Sequence, residues 1–178
     1  MPAVTVQGDF VNVIVETGSA ALSMIEEMPA SELPSQPPGG ASAGMSSDSP
    51  PLRVFSVQSR AVGLTREPED GRTLGRAVLI GDGENVRLVL RPFAGSHVGL
   101  EQTEDTVGLL LALAFENPVT ERVVTYLDVE HAHYVWVLFR LGFVWLEDEL
   151  SNRQGACALL MRRTSFMRLT PWGKRAGV

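Results

Sequence analysis

Residues 115–143 read FENPVTERVVTYLDVEHAHYVWVLFRLGF and contain the end of one helix, a strand and a second helix. Asn117-Pro118 predicts the end of the first helix, because proline disfavours helical geometry in the residue before it. The β-branched run at residues 122–127 predicts a strand. Residues 131–141 predict a helix, which Gly142 ends because glycine readily takes the left-handed conformation after a helix C-terminus. This alternation of helix and strand is typical of an α/β domain.

Three strands are predicted upstream of this segment. They are separated by turns rich in proline, glycine and acidic residues at 67–71 and 81–85, and such residues suit the backbone angles of tight turns. The strands cover residues 52–65, with a bulge expected at Gly63, 76–80 and 86–91. Because the connections are short, the three strands are predicted to form an antiparallel meander.

A loop at residues 92–101 leads into a helix predicted at 103–116, for which Thr103 is the expected N-cap. Two closing strands follow the second helix, at residues 143–150 and 156–163. Four aromatic residues near this junction are predicted to lie in the core: Trp136, Phe139, Phe143 and Trp145. Residues 52–166 thus have the order β-β-β-loop-α-β-α-β-β, and they are predicted to form one domain.

The residues outside this domain fall into three segments. Residues 1–28 predict a strand or short hairpin at 4–16 and a helix at 19–28. Residues 29–51 contain six Pro, six Ser and three Gly. Such a stretch cannot bury enough apolar surface to offset its ordering entropy, so a flexible linker is expected. Residues 167–178 carry basic side chains and no acid, which predicts a loose basic tail.

Composition limits the classes of function. The formal net charge is −6, which argues against a nucleic-acid partner or an anionic membrane surface. The single cysteine cannot form an internal disulfide and favours a reducing cytoplasm. The sequence shows no secretory leader and no apolar run of roughly 18 residues, so neither export nor a membrane span is expected.

The local sequences resemble the second half of the GNAT family, the acyl-CoA-dependent N-acyltransferases. Three elements are similar to the family's Phe-x-x-Pro, Asp-x-x-Asn and Leu-Gly-Phe, namely Phe115 to Pro118, Asp128 to His131 and Leu141 to Phe143. The resemblance implies an α/β (α+β) fold with a mixed, mostly antiparallel sheet and helices on both faces. It also implies acetyl-CoA or another acyl-CoA as co-substrate and a small-molecule amine as acceptor.

A narrower resemblance covers residues 147–166, EDELSNRQGACALLMRRTSF. This segment is similar to the closing segment of the siderophore-type acyltransferases, which modify an amino group of hydroxylysine or a related polyamine. The matching positions are Leu150, Ala156, Leu159 or Leu160, Met161, Arg163 and Phe166. The resemblance therefore implies acylation of a primary or hydroxylated amine in siderophore biosynthesis.

In the GNAT family, backbone N–H groups of the loop that opens the first of these helices cradle the diphosphate of coenzyme A. The resemblance places the cofactor-binding residues of this chain at Arg91, Gly95, Ser96, His97, Val98, Gly99 and Leu100. Of three characteristic loop positions only Gly99 matches, since Ser96 and Glu101 occupy the other two. At an effective dielectric of about 20, a carboxylate about 4 Å from a phosphate charge would cost on the order of 4 kcal/mol. Glu104 and Asp105 follow closely, so the loop is acidic where the family's is not.

Asp128 and His131 are the candidate catalytic residues, because they lie between a strand end and a helix start, where α/β folds place functional groups. Acyl transfer to an amine needs alignment of the reactants, a route for one proton and donors for the oxyanion. Asp128 could orient or deprotonate the amine. Alternatively, Asp128 caps the following helix and His131 is an ordinary helix-start residue. His131 and His133 point to different faces of that helix, so no metal site is expected.

Two other functions stay open. A protein with this fold and an altered cofactor loop could be a catalytically inactive binding or assembly partner. Residues 1–28 would then contact a second copy in a homodimer, or another protein. An acetyltransferase acting on an antibiotic or a protein N-terminus would share the fold, because acceptor specificity depends on variable loops.

Overall fold

The structure is a computed structural model, and it describes residues 5–17, 51–60, 72–92, 99–127, 132–146 and 157–176. Within these residues eight strands form one sheet. In chain order they are β1 Thr5–Gln7, β2 Val11–Glu16, β3 Leu52–Ser59, β4 Thr73–Ile80, β5 Asn85–Pro92, β6 Arg122–Leu127, β7 Val144–Trp145 and β8 Cys157–Arg162. The described helices are α1 Leu100–Phe115, α2 Ala132–Leu141, α3 Arg163–Leu169 and α4 Pro171–Ala176.

The strands lie side by side in the order β1-β2-β3-β4-β5-β6-β8-β7. Neighbouring strands are antiparallel except for β5 and β6, which are parallel. Parallel neighbours require a long crossover connection, and α1 supplies it. The predicted mixed, mostly antiparallel sheet is therefore confirmed, and the order of elements from β3 to β8 is the predicted one.

The main hydrophobic core lies between one face of the sheet and the described helices. Alternate residues of the strands enter it, as Val86 and Leu88 do from β5, together with Leu110 and Leu111 of α1 and Leu138 of α2. The opposite face carries a smaller cluster made of Leu52, Val54, Val78, Ile80 and Val89. The helix predicted at residues 19–28 and nearly all of the linker predicted at 29–51 lie outside the described residues.

The N-terminal strands belong to this same sheet. Residues 5–16 form the hairpin that the sequence offered as one of two alternatives, and β2 pairs with β3 from Val11↔Ser59 to Glu16↔Val54. Val11 and Val13 are fully buried in the main core. The β-branched alternation of β2 thus packs on the domain and extends its sheet by two strands.

The loose tail expected beyond Phe166 is wrong for residues 167–176, which continue α3 and form α4. Phe166 is fully buried, and its ring centroid lies 5.2 Å from that of Phe115. Trp172 packs on α1 so closely that a Cβ on Gly108 would lie 2.3 Å from its ring. The basic residues of this segment are exposed and its apolar residues face the core, so the helices are amphipathic. The net positive charge of the segment alone does not indicate this pattern.

Some boundaries differ from the prediction. The helix expected from Thr103 begins at Leu100 with Gly99 as its N-cap, and the Thr103 hydroxyl donates to the Gly99 carbonyl at 3.0 Å. The described part of the first closing strand is Val144–Trp145. Trp136 and Trp145 are 75% and 56% exposed, so their predicted core placement is wrong, whereas Phe143 is buried. The bulge expected at Gly63 lies outside the described residues, and a register shift occurs between Val57 and Gln58. None of the described helices is long and apolar enough to cross a membrane.

Candidate functional site

The two parallel strands at the middle of the sheet separate along their length. The β5–β6 ladder runs from Asn85↔Arg122 to Leu88↔Thr125. Beyond that point β5 continues to Pro92 paired with β4, and β6 continues to Leu127 paired with β8. Within the described residues, the carboxyl-terminal halves of β5 and β6 are therefore not joined to each other. An opening of this kind at the carboxyl ends of parallel strands is where open α/β sheets bind ligands.

The start of α1 follows β5 in the chain and supplies peptide donors. Gly99 is the N-cap in extended conformation, and its N–H donates to the Gln102 side-chain oxygen at 3.0 Å. The next N–H groups of the first turn have no partner within the helix by geometry, and the helix dipole places partial positive charge there. Leu100 is 48% exposed, so this end of α1 is at the surface. Such an end of a helix favours an anion.

The acidic side chains near this helix start have distinct environments. Glu101 is exposed. The Glu104 carboxylate lies 2.8 Å from Nε of Arg140, a residue of α2. Asp105 is buried and accepts hydrogen bonds from the backbone N–H groups of Phe10 and Val11. Two of the three acids are thus committed to partners inside the fold, and Arg140 supplies a compensating charge that the sequence did not predict.

A small cavity lies beside the separated half of β5, under the first turns of α1. Its volume is about 40 Å³, and its lining includes Leu90 and Arg91 of β5, Val107 of α1 and Tyr134 of α2. Tyr134 is buried, and desolvation raises the pKa of its phenol above the ordinary value. The phenol therefore keeps its proton at physiological pH and is available as a hydrogen-bond donor.

No protein-family model matches the chain, and no curated protein matches it in sequence. Solved structures do match it. One from Sphaerobacter thermophilus, assigned as an acetyltransferase, has a TM-score of 0.53 at 10% identity and covers 91% of this chain and 98% of that one. Mutant forms of the spermidine/spermine N-acetyltransferase SpeG from Vibrio cholerae have a TM-score of 0.50 at 16% identity, and the match covers 65% of this chain and 67% of that one. A domain from Methanocaldococcus jannaschii has a TM-score of 0.50 at 12% identity, and the match covers 62% of this chain and 66% of that one.

The chain has the GNAT fold. At these identities the likeness establishes the fold, and it does so on a larger part of the chain than residues 52–166. The Sphaerobacter match extends past that range, in agreement with the pairing of β2 with β3 and the packing of α3 and α4 on the core. The GNAT fold of this chain thus includes strands and helices that the sequence placed outside the domain.

Within the GNAT fold, the predicted site residues fall in three places. Arg91 lines the cavity, while Gly99 and Leu100 form the start of α1. The remaining ones lie outside the described residues, and their roles stay predictions: Gly95, Ser96, His97, Val98, Asp128 and His131. Arg87 lies within the paired half of β5, with its guanidinium carbon 4.8 Å from the centroid of the Tyr126 ring.

Tyr134 is the functional candidate that the sequence did not single out. A signal for it was present, because Tyr134, Val137, Leu138 and Leu141 recur at helical spacing and define the buried face of α2. A tyrosine on such a face carries a hydroxyl into the interior, which is unusual unless the hydroxyl has a partner or a role. The depth of the cavity beside Tyr134 depends on β3, β4 and α1. Because these elements are far apart in sequence, no local sequence pattern indicates the cavity.

Proposed function

We propose that this protein is an acyl-CoA-dependent N-acyltransferase that transfers an acyl group, normally acetyl, to a primary or hydroxylated amine of a small molecule. The observation that carries the proposal is the separation of β5 from β6 beyond Leu88 and Thr125, next to the start of α1. This opening would accept the pantetheine arm of acyl-CoA. The first-turn N–H groups that follow Gly99 would bind the diphosphate.

The chemistry follows from the groups around this opening. Main-chain donors on the edge of β5 that no longer faces β6 would hold the thioester carbonyl and stabilise the oxyanion. The amine nitrogen would attack the carbonyl carbon, the C–S bond would break, and the Tyr134 phenol would donate a hydrogen bond to the departing thiolate. Asp128, the candidate base, would accept the proton lost by the amine and pass it to the thiolate through solvent. His131 would line the same end of the site.

The acceptor class rests on two likenesses of different kinds. The segment at residues 147–166 is similar to enzymes that acylate hydroxylysine or related polyamines, and the matching structure from Vibrio cholerae is a spermidine/spermine N-acetyltransferase. Both point to a flexible small molecule with a primary amine. A place in siderophore biosynthesis is the narrower form of this proposal, and the cytoplasm, with its acyl-CoA supply, is the compartment we propose.

The test combines binding with turnover. We expect saturable heat on titration of acetyl-CoA, and release of free thiol when spermidine or hydroxylysine is added. Tyr134→Phe should lower kcat by about 10²-fold or more with little change in acetyl-CoA affinity, because it removes only the hydroxyl that stabilises the departing thiolate. Tyr126→Phe is the matched control, since the chain has two tyrosines and Tyr126 packs under Arg87. Equal kcat in both variants would refute the role of Tyr134.

The second candidate is a GNAT-fold protein without transferase activity that acts as a binding or assembly partner. The specific observation in its favour is Glu101, which adds a carboxylate to the first turn of α1, where the phosphates would approach. In that case coenzyme A should give no heat at high micromolar concentration. The protein would then be expected to self-associate in analytical ultracentrifugation, or to remain a monomer that needs another partner.

A further inference from the structure

Two arginines lie directly opposite each other on the face of the sheet that turns away from the described helices. Arg76 of β4 is the register partner of Arg91 of β5. Successive side chains of a strand point to opposite faces, and Val78 and Val89, each two residues from one arginine, belong to the smaller cluster on that face. Both arginines are half-buried. They form a basic pair at the border of an apolar surface.

The basic pair, Arg76 and Arg91, favours an anion. Like charges directly opposite each other on antiparallel strands are destabilising, because their Cβ atoms are only about 4.5–5.5 Å apart. A carboxylate or phosphate that accepts from both guanidinium groups removes this repulsion and gains charge-assisted hydrogen bonds. Each guanidinium has several N–H donors, so it can hold a ligand in addition to contacts within the protein. Among the described strand residues on this face the acid is Glu16 of β2, which lies two strands away from Arg76.

A second pair of arginines on this face differs in burial and position. Arg122 of β6 and Arg162 of β8 are also register partners. Both are exposed, and the Arg122 guanidinium lies 3.6 Å from the Glu84 carboxylate. Water and salt screen charges at such positions. This pair lies at the beginning of β6, whereas the basic pair lies toward the opposite end of the sheet. Burial and position therefore distinguish the basic pair as a candidate anion site.

The basic pair lies beside the opening proposed for acyl-CoA. The β5–β6 ladder ends at Leu88↔Thr125, and Arg91 follows Leu88 by three residues, roughly 10 Å along an extended strand. The helix α1 packs on the other face of the sheet, where Leu110 shares the main core with Val86. The sheet therefore lies between the basic pair and a diphosphate at the start of α1, and the gap between β5 and β6 connects the two sides.

We infer that the amine acceptor carries an anionic group on the same molecule, a carboxylate or a phosphate, and that Arg76 and Arg91 bind this group. The inference rests on the proposed function and adds to it the charge of the acceptor. The reacting amine lies at the other end of a short aliphatic chain, as it does in hydroxylysine, and so reaches the gap. Spermidine has no anion and would bring several positive charges toward the two arginines, which is unfavourable. Arg91, which the resemblance assigned to the cofactor, thereby takes a role toward the acceptor.

The experiment compares acceptors that differ in the anion. Cadaverine is lysine without its carboxylate, and 3-aminopropanol is 3-aminopropyl phosphate without its phosphate. Release of free thiol gives kcat/KM of the full chain for each acceptor, and calorimetry gives the dissociation constant of acetyl-CoA. In the unmodified protein, the anionic member of at least one pair should be preferred by about 10²-fold, because hydrogen bonds between charged groups carry factors of this size. The pair with the larger preference identifies the anion as carboxylate or phosphate.

Substitutions in the basic pair test its role. Arg76→Gln and Arg91→Gln should each lower the preference for the anionic acceptor by about tenfold and leave the acetyl-CoA dissociation constant unchanged. Arg91→Lys keeps the charge without the planar fork of donors, so it should retain part of the preference. Arg162→Gln is the matched control, because it removes a guanidinium from the same face at the other end of the sheet. Its preference should equal that of the unmodified protein.

The outcomes separate the two levels of the proposal. If acetyl-CoA gives no heat, or if no amine releases thiol, the proposed function fails and the acceptor assignment fails with it. If amines are acetylated without preference for an anion, or if the preference survives in both glutamine variants, the acceptor assignment alone is overturned. Weaker acetyl-CoA binding by Arg91→Gln with an intact preference would overturn it too, since Arg91 would then bind the cofactor. A preference that falls in both variants and persists in Arg162→Gln supports it.

Discussion

The Asp105 carboxylate joins three parts of the chain that are far apart in sequence, and its replacement by asparagine tests how strongly they depend on it. Oδ2 accepts the backbone N–H groups of Phe10 at 2.7 Å and Val11 at 3.1 Å, and Oδ1 accepts the indole N–H of Trp172 at 3.2 Å. Asp105 is 1% exposed, so water cannot replace a lost partner. The β1–β2 hairpin, α1 and α4 therefore share one buried acceptor.

The magnitude follows from counting these bonds in the Asp105→Asn variant. The amide oxygen can stay on the two backbone N–H groups, but each bond then changes from charged to neutral and loses about 1 kcal/mol. The amide NH₂ must face the indole N–H of Trp172, and two donors without an acceptor cost about 1–3 kcal/mol in a buried site. We expect a loss of about 3–5 kcal/mol, which is a large part of the stability of a typical domain.

Urea denaturation followed by circular dichroism measures this loss. Glu104→Gln is the control on the neighbouring residue, and because Arg140, its partner, is largely exposed, it should cost less than about 1 kcal/mol. Adding Trp172→Phe to Asp105→Asn removes the opposing donor. The double variant should therefore lose about 1–2 kcal/mol less unfolding free energy than the two single variants lose together. A stability of Asp105→Asn within about 0.5 kcal/mol of the unmodified protein, or strict additivity of the pair, would refute this account.

Two further predictions concern the site. Glu101→Gln should lower the dissociation constant of coenzyme A by about twofold for each phosphate charge that lies about 8 Å from the carboxylate. An exposed like-charge pair costs about 0.5 kcal/mol in water at that distance. Calorimetry checks this, and an unchanged dissociation constant would mean that the diphosphate does not lie at the start of α1. In a Tyr126→Phe background, the remaining tyrosine should ionise above its ordinary pKa, as followed by tyrosinate absorbance, because burial raises the pKa of Tyr134. The folded state then holds its proton more tightly than the unfolded state, so the free energy of unfolding should fall as pH rises above about 10. A tyrosine that titrates normally would contradict the buried position.

The parts of the fold that were predicted well have local signals at both ends. β6 spans Arg122–Leu127, the predicted range, because Pro118 precedes a β-branched run and Asp128 follows it. Gly142 has a φ of 100° at the end of α2, a conformation that favours glycine and that its position after an apolar helix pattern predicts. Period, turn residues and helix-ending residues agree at these positions, and such agreement makes local prediction reliable.

The parts that were missed depend on residues far apart in the chain. Trp172 holds α4 in place through its hydrogen bond to Asp105, which is 67 residues away in the chain. No pattern within residues 167–178 predicts that contact. Thr103 is a residue type that favours the N-cap position, yet the helix begins earlier because the Gln102 side chain accepts the Gly99 N–H. The exposure of Trp136 follows from which face of α2 meets the sheet, and aromatic composition alone does not indicate it.

The candidate site was predictable only in part for the same reason. The resemblance located the start of α1 and Arg91, both of which border the opening. The separation of β5 from β6 and the cavity beside Tyr134 arise from pairing and packing among six elements, β3 to β6 with α1 and α2. Arg140 balances the charge of Glu104 from a different helix, so the apparent acidity of the loop overstated the repulsion that a phosphate would meet.

The most direct test is a crystal structure of the full chain with coenzyme A bound. We expect the pantetheine arm between β5 and β6, beyond Leu88 and Thr125, with the diphosphate on the peptide N–H groups that follow Gly99. Strands paired without a gap as far as Leu127, or coenzyme A bound elsewhere with the Glu101 side chain occupying the helix start, would contradict it.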